Sequence, residues 1–167
     1  MSSPITIEET REWQPIWHIM QDPEIYDAIC DDNWRALPRD SVRLVLKGIV
    51  EDVRNHSLLV VQDGICVGAF VCLNKGEGVF EVHTLLTKDC RGADAITAGK
   101  AGMAYMLNRP GVEKLTSLCP TNFPAAYLYA RFCGFHKAGV SAIKRLQGGI
   151  EYPIKLVEAT KLDLCHS

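Results

Sequence analysis

Apolar positions along the chain repeat with a period near 3.6 in some stretches and near two in others, and the switches between them mark the predicted elements. ITIEE near the start reads as a short strand. Residues 12–30 carry Trp13, Ile16, Trp17, Met20, Ile25 and Ile29 at helical spacing, interrupted at Asp22-Pro23. That break predicts two short helices, with Asp22 capping the second. Asp40-Ser41 is expected to open a longer helix, VRLVLKGIVEDVR, whose Val42, Val45, Leu46, Ile49, Val50 and Val53 keep the helical period. HSLLVVQ and ICVGAFVCL are apolar, β-branched runs joined by Asp63-Gly64, the strongest short signal for a hairpin. VFEVHTLL follows as a further strand. Residues 93–108 form a helix ended by Asn108-Arg109-Pro110-Gly111, VEKLTSLCP is a strand, and Asn122 to Cys133 is a helix closed by Gly134. FHKAGVSAIKRL and IEYPIKLVEA make a final strand pair turned at Gly148-Gly149.

The predicted order is therefore β-α-α-β-β-β-α-β-α-β-β. Helices following the fourth and fifth strands imply parallel or mixed pairing in the middle of the sheet. The expected architecture is an α/β layer protein with helices on both faces.

Composition narrows the classes. At 167 residues the chain is expected to form one domain over 1–167, with a single well-buried core. A net charge of −2 gives no electrostatic case for a nucleic acid or an anionic membrane. No apolar run approaches the ~18 residues that would span a bilayer. The start, MSSPITIEET, lacks the basic region of a signal peptide, and Cys165 stands one place too late for a prenylation box. The seven cysteines are odd in number and show no C-x-x-C pair, so reduced thiols in the core are expected rather than disulfides or a zinc knot. His18, His56, His136 and His166 have no partner at metal-ligand spacing.

The chemistry concentrates in Val79 to Ile96, VFEVHTLLTKDCRGADAI. Alternation puts Val79, Glu81, His83 and Leu85 on one face of the strand and Phe80, Val82, Thr84 and Leu86 on the other. Glu81 and His83 are then neighbours about 7 Å apart along the strand, a carboxylate and an imidazole suited to general base work. The alternative is that both sit on a solvated face. A helix start follows, and its free N–H groups suit a phosphate, with Lys88 and Arg91 close by and Gly92 allowing close approach. Ligands of open α/β sheets bind beyond the carboxyl ends of strands, which would place the Glu, the His and the anion site in one cleft. No G-x-G-x-x-G or P-loop pattern is present. Cys90 beside Arg91 is either a reactive thiolate or a passive turn residue. The small residues Ala95, Ala98, Gly99, Gly102 and Ala104 predict close packing of the helix on the sheet.

This strand-turn-helix resembles the acetyl-CoA motif of the GNAT N-acetyltransferase superfamily, and NFPAAYLYARFCGF resembles its later segment, N-x-x-A…Y…GF. The specific likeness runs from Val79 to Phe135. EVHT followed by RG and an Ala-rich helix is most similar to phage-encoded members. The resemblance implies a GNAT-like mixed, mostly antiparallel central sheet and transfer of an acetyl group from acetyl-CoA to an amine by direct attack. It implies Glu81 as the base with His83 in support. The N–H of Leu85 or Leu86 would meet the thioester carbonyl, and Lys88, Arg91, Gly92, Ala93, Asp94 and Asn122 would line the cofactor site. The loop pattern Q/R-x-x-G-x-G/A, started at Arg91, meets Asp94 and Ile96 instead of glycines. Counted back from Gly134, the general-acid tyrosine falls on Ala130. Tyr129, adjacent to it, is the candidate acid, with a packing tyrosine as the alternative. The acceptor would be a small-molecule or protein amine. A homodimer or a phage particle component, and a place in the cytoplasm or virion, complete what the likeness implies. The rival is a GNAT-fold protein without catalysis, serving phage assembly or host interaction.

Overall fold

The computed structural model describes residues 3–165. β1 (Ile5–Thr10) leads into four helices, α1 (Gln14–Met20), α2 (Pro23–Ile29), α3 (Asp32–Arg35) and α4 (Arg39–Glu51). As expected, Asp22 caps α2, its carboxylate accepting from the Glu24 N–H at 2.9 Å. The longer helix starts at Arg39 rather than at Asp40-Ser41. Pro38 takes the cap position, and Asp40 lies in the first turn, where it pairs with Arg43 at 3.3 Å.

β2 (His56–Gln62), β3 (Ile65–Asn74) and β4 (Val79–Leu86) form an antiparallel meander with β1. The Asp63-Gly64 turn has φ of 53° and 75°, the left-handed pair that a tight hairpin needs. α5 (Gly92–Leu107), β5 (Lys114–Pro120) and α6 (Pro124–Cys133) follow, and α6 ends on Gly134 at φ 108°. The last segment departs from the expected strand pair. It divides into β6 (His136–Val140), β7 (Arg145–Gln147), β8 (Ile150–Tyr152) and β9 (Ile154–Thr160), before a single turn, α7 (Lys161–Leu164). Pro153 has no N–H to give a ladder, and it falls where β8 ends and β9 begins. β7 and β8 form a separate hairpin turned at Gly148-Gly149, while β6 and β9 join the main sheet.

The seven-stranded sheet has the order β1-β2-β3-β4-β5-β9-β6. Its single parallel contact is β4 with β5; β9 lies antiparallel between β5 and β6. The α/β sheet is thus mixed and mostly antiparallel, with helices on both faces, as expected. One face packs Leu58, Val60, Phe70 and Phe80 against Ala98, Met103, Met106 and Leu107 of α5 and Ala130 and Cys133 of α6. The other packs Ala69, Val71 and Leu85 against Ile16, Ile25, Tyr26, Val42, Leu46 and Val50 of α1, α2 and α4. The small residues of α5 permit close approach: a Cβ on Gly102 would come within 2.7 Å of the Phe70 ring. All cysteines are reduced, and Cys30, Cys72, Cys90, Cys119 and Cys133 are buried. Among the described residues no helix is long and apolar enough to cross a membrane, and no cluster of side chains is arranged to hold a metal. His166 lies outside the described residues.

Candidate active site

β4 and β5 pair only at Val79↔Lys114, Phe80↔Leu115 and Glu81↔Thr116. Beyond that point β4 runs on to Leu86 along β3, β5 runs on to Pro120 along β9, and the two strands part. Each strand keeps a full ladder on its outer side, so the parting leaves unpaired only the inner edges of the two strands. Side chains bridge the start of the gap. Ser117 Oγ donates to the Val82 carbonyl at 3.2 Å, and Thr116 Oγ1 to that of Phe80 at 3.5 Å. The carbonyls of Phe80 and Val82 therefore face β5, and by alternation so do the backbone groups of Thr84 and Leu86. The Leu86 N–H looks into the gap. The Leu85 backbone faces β3 instead, and its side chain is buried under α1 and α2. Of the two expected carbonyl donors, only Leu86 is oriented for the role.

Glu81 and His83 share the face covered by α1 and α2. They are in contact, with Nε2 of His83 2.9 Å from Oε1 of Glu81. Lys75 Nζ lies 3.8 Å from the other carboxylate oxygen. The pair is asymmetric: the Glu81 side chain is 14% exposed and that of His83 35%. The bond from His83 holds the Glu81 pKa below the usual carboxylate value, against the opposing effect of burial. With Nε2 committed to the carboxylate, the neutral imidazole carries its proton there and leaves Nδ1 as the free base nitrogen. The sequence placed both groups on one face; the structure makes Glu81 the inner member and His83 the outer.

After β4, Thr87 ties the chain to Val67, with N–H and hydroxyl both on its carbonyl, at 3.0 and 2.9 Å. The turn Lys88-Asp89-Cys90 closes on Thr87 and delivers Arg91 as the cap of α5. No side chain caps this helix start. Its first N–H groups are available to an anion. Gly92 has φ of 58°, and the space where its Cβ would stand is open. Lys88, Arg91 and Ala93 are exposed around it. Arg91 reaches Glu24 of α2 at 3.7 Å. Asp94, the departure from the glycine pattern, is half-buried, and Gln62 of β2 donates to its carboxylate at 3.4 Å. Cys90 is fully buried and burial pushes its thiol up, which makes it the passive turn residue.

Tyr129 and Asn122 are engaged within the protein. The Tyr129 hydroxyl donates to the Ala95 carbonyl of α5 at 3.1 Å. It lies against Gly99, where a Cβ would meet it at 2.5 Å. Burial pushes its pKa far up. The arrangement fits a packing tyrosine, which staples α6 to α5 and is poorly suited to giving up a proton. Asn122 donates from Nδ2 to Gln147 Oε1 at 3.0 Å, and its own Oδ1 is buried with no partner.

Two participants carried no local signal. Lys75 lies in the turn between β3 and β4, and only the fold brings its ammonium to Glu81. Arg145, in a run expected as one strand of the final pair, is buried at 7% exposure and binds the end of α2.

No family model matches the chain, and no curated protein matches its sequence. Solved structures do match. A chimeric spermidine N-acetyltransferase from Vibrio cholerae superposes with a TM-score of 0.78 at 14% identity, over 99% of this chain and 100% of that one. The Vibrio cholerae enzyme in complex with CoA and spermine gives 0.77 at 13% identity, over 96% and 98%. A dodecameric form of that enzyme gives 0.71 at 13% identity, over 94% of each chain. The fold is that of the GNAT acetyltransferases. At these identities the likeness speaks for fold alone.

Proposed function

We propose that this chain is an acetyl-CoA-dependent N-acetyltransferase acting on an amine. The observation that carries the reading is the parting of β4 and β5 beyond Glu81↔Thr116, beside the Glu81–His83 pair and before an uncapped helix start. A slot between strands with free backbone groups suits a pantetheine arm. The start of α5, with Gly92 open and Lys88 and Arg91 exposed, suits a pyrophosphate. Residues and group fit, with Asp94 as the one charge out of place. The neighbour solved with CoA supports the same co-substrate.

Acetyl-CoA supplies an activated acyl group to be passed to a nitrogen. The residues of this chain supply the rest. His83 removes a proton from the incoming ammonium through Nδ1, directly or through one water, and Glu81 orients the imidazole and stabilises its charged form. The Leu86 N–H offers a hydrogen bond to the developing negative charge on the carbonyl oxygen. The new C–N bond forms as the C–S bond breaks, the nitrogen gives up its second proton to solvent, and the departing thiolate takes one up. Tyr129 is not required for this.

The polyamines of the neighbours do not carry over by themselves. The acidic residues around α2 and α3 are already engaged: Asp22 and Asp31 cap helices, Asp27 pairs with Arg35, and Asp32 holds Gly148 and Gly149. A polycation would find few free carboxylates there, so a small amine with one positive charge is the favoured acceptor. A panel of monoamines, amino acid amides and polyamines, assayed for CoA release, tests the function; no turnover of any member at saturating acetyl-CoA would remove it.

A GNAT-fold protein without catalysis, with a phage-particle or host-interaction role, is the second reading. Asp94 in the first turn of α5 and the engaged Tyr129 favour it. Assembly, as a homodimer or a particle component, would separate the two if it proceeds with acetyl-CoA absent and Glu81 and His83 both replaced.

A further inference from the structure

Among the described residues, Arg145 is the single buried charged side chain, and it makes no ion pair. Burying a charge is costly unless hydrogen bonds replace its water. Here four do. Nη2 donates to the carbonyls of Asp27 at 2.8 Å and Cys30 at 3.2 Å, Nη1 to that of Ala28 at 2.9 Å, and Nε to Gln147 Oε1 at 3.0 Å. The guanidinium also lies 5.0 Å from the centre of the Phe123 ring. The three carbonyls form the C-terminal end of α2, which is left with unpaired acceptors and partial negative charge.

The same Gln147 oxygen accepts from Asn122 Nδ2. Asn122 follows the end of β5, one wall of the gap. α2 covers Leu85 of β4, the other wall. A chain of hydrogen bonds thus runs from α2 through Arg145 and Gln147 to Asn122, and joins the two walls where their backbones have ceased to pair. The turn of the β7–β8 hairpin is fixed to the same region, since Gly148 and Gly149 donate to the Asp32 carboxylate at 3.0 and 2.9 Å. The unpartnered Oδ1 of Asn122 means that Nδ2 alone ties this amide to its surroundings.

We infer that Gln147, held by Arg145, is a positioning residue that sets the opening between β4 and β5 by linking α2 to the end of β5 through Asn122. The inference rests on the reading that this opening takes acetyl-CoA. Its contribution is preorganisation: with the link intact, the walls need not be ordered when the co-substrate enters.

Gln147→Leu cuts the link and leaves the α2 carbonyls bound to Arg145. Gln147→Glu keeps an oxygen that accepts from both neighbours. Titration calorimetry with acetyl-CoA and hydrogen exchange over Val82–Leu86 and Ser117–Asn122 are the readouts. Gln147→Leu is expected to remain folded, to lose affinity by about three- to tenfold, the value of the one neutral hydrogen bond that joins Gln147 to Asn122, and to exchange faster in both segments. Gln147→Glu is expected to behave as the wild type. A lowered melting temperature for Gln147→Leu with affinity and exchange unchanged would overturn the positioning role and leave an ordinary structural contact. Absence of acetyl-CoA binding in the wild type would overturn the functional reading instead, and exchange would then decide the positioning role by itself.

Discussion

Tyr129→Phe separates a proton donor from a packing residue, because the two roles predict changes of very different size. The hydroxyl donates one bond at 3.1 Å to the Ala95 carbonyl, within a helix where that carbonyl also serves its own turn. Removing the donor therefore strands no acceptor. The cost should lie at the low end for a neutral hydrogen bond, about 0.5–1 kcal/mol. For a domain of this size that lowers the melting temperature by roughly 1–4 °C. The ring still fills its place against Gly99 and Cys133. Tyr129→Ala, which empties that place, should cost about 3–5 kcal/mol. If Tyr129 is not the acid, Tyr129→Phe should keep turnover within about twofold of wild type, whereas loss of a general acid would reduce it by ~10²–10⁴. Calorimetric melting and initial rates of CoA release on the same preparations give both numbers. A folded Tyr129→Phe protein with turnover reduced a hundredfold or more would refute the packing assignment.

For the Glu81–His83 pair, His83→Gln should lower turnover near pH 7 by ~10²–10⁴, with the loss shrinking at high pH where the amine is already free. Glu81→Gln should cost less, because the amide oxygen still accepts from Nε2 and orients the ring; a larger loss for Glu81→Gln would return the base role to Glu81. Asp94→Asn keeps the Gln62 contact and removes a negative charge from the first turn of α5, so acetyl-CoA affinity by titration calorimetry should rise by roughly two- to fivefold; unchanged or weaker binding would show that the carboxylate does not face the pyrophosphate. Away from the site, burial alone would raise the Glu9 pKa, but the bonds to His56 and Arg109, at 2.7 and 2.8 Å, hold it below its ordinary value of 4.5. Its contribution to stability is therefore present above about pH 4.5 and lost as the pH falls through the depressed value, and Glu9→Gln should flatten the stability profile in that acid range, as urea denaturation at stepped pH would show.

What the sequence made legible was mostly local. Asp63-Gly64 and Gly134 need positive φ, and that need is written in the residue type. Glu81 and His83 share a face because side chains alternate along any strand. Alternation also shows that Leu85 and Leu86 point opposite ways, but which of them faces the gap depends on where β5 lies. The inner and outer ranks of Glu81 and His83 depend likewise on how α1 and α2 cover the strand. The split of the last strand pair was marked only by Pro153, and the separate place of the β7–β8 hairpin depends on Asp32, whose bonds to it span over a hundred residues. Nothing local marks Arg145 as buried; its place is set by the carbonyls at the end of α2, more than a hundred residues away. For Tyr129 the signal is helix rotation: a shift of one residue turns a side chain by about 100°, and here the hydroxyl meets the Ala95 carbonyl of α5.

Binding of acetyl-CoA to the purified chain tests the central claim most directly. Titration calorimetry, with melting followed in parallel at millimolar ligand, is expected to show one site per chain and a higher melting temperature, since a ligand specific for the folded state stabilises it. Substituting Val at Gly92 should weaken that binding, because a β-branched side chain is strained at φ 58° and would intrude on the open helix start. Neither heat of binding nor a melting shift in the wild type, with the protein folded, would contradict the account and leave a GNAT fold that does not use acetyl-CoA.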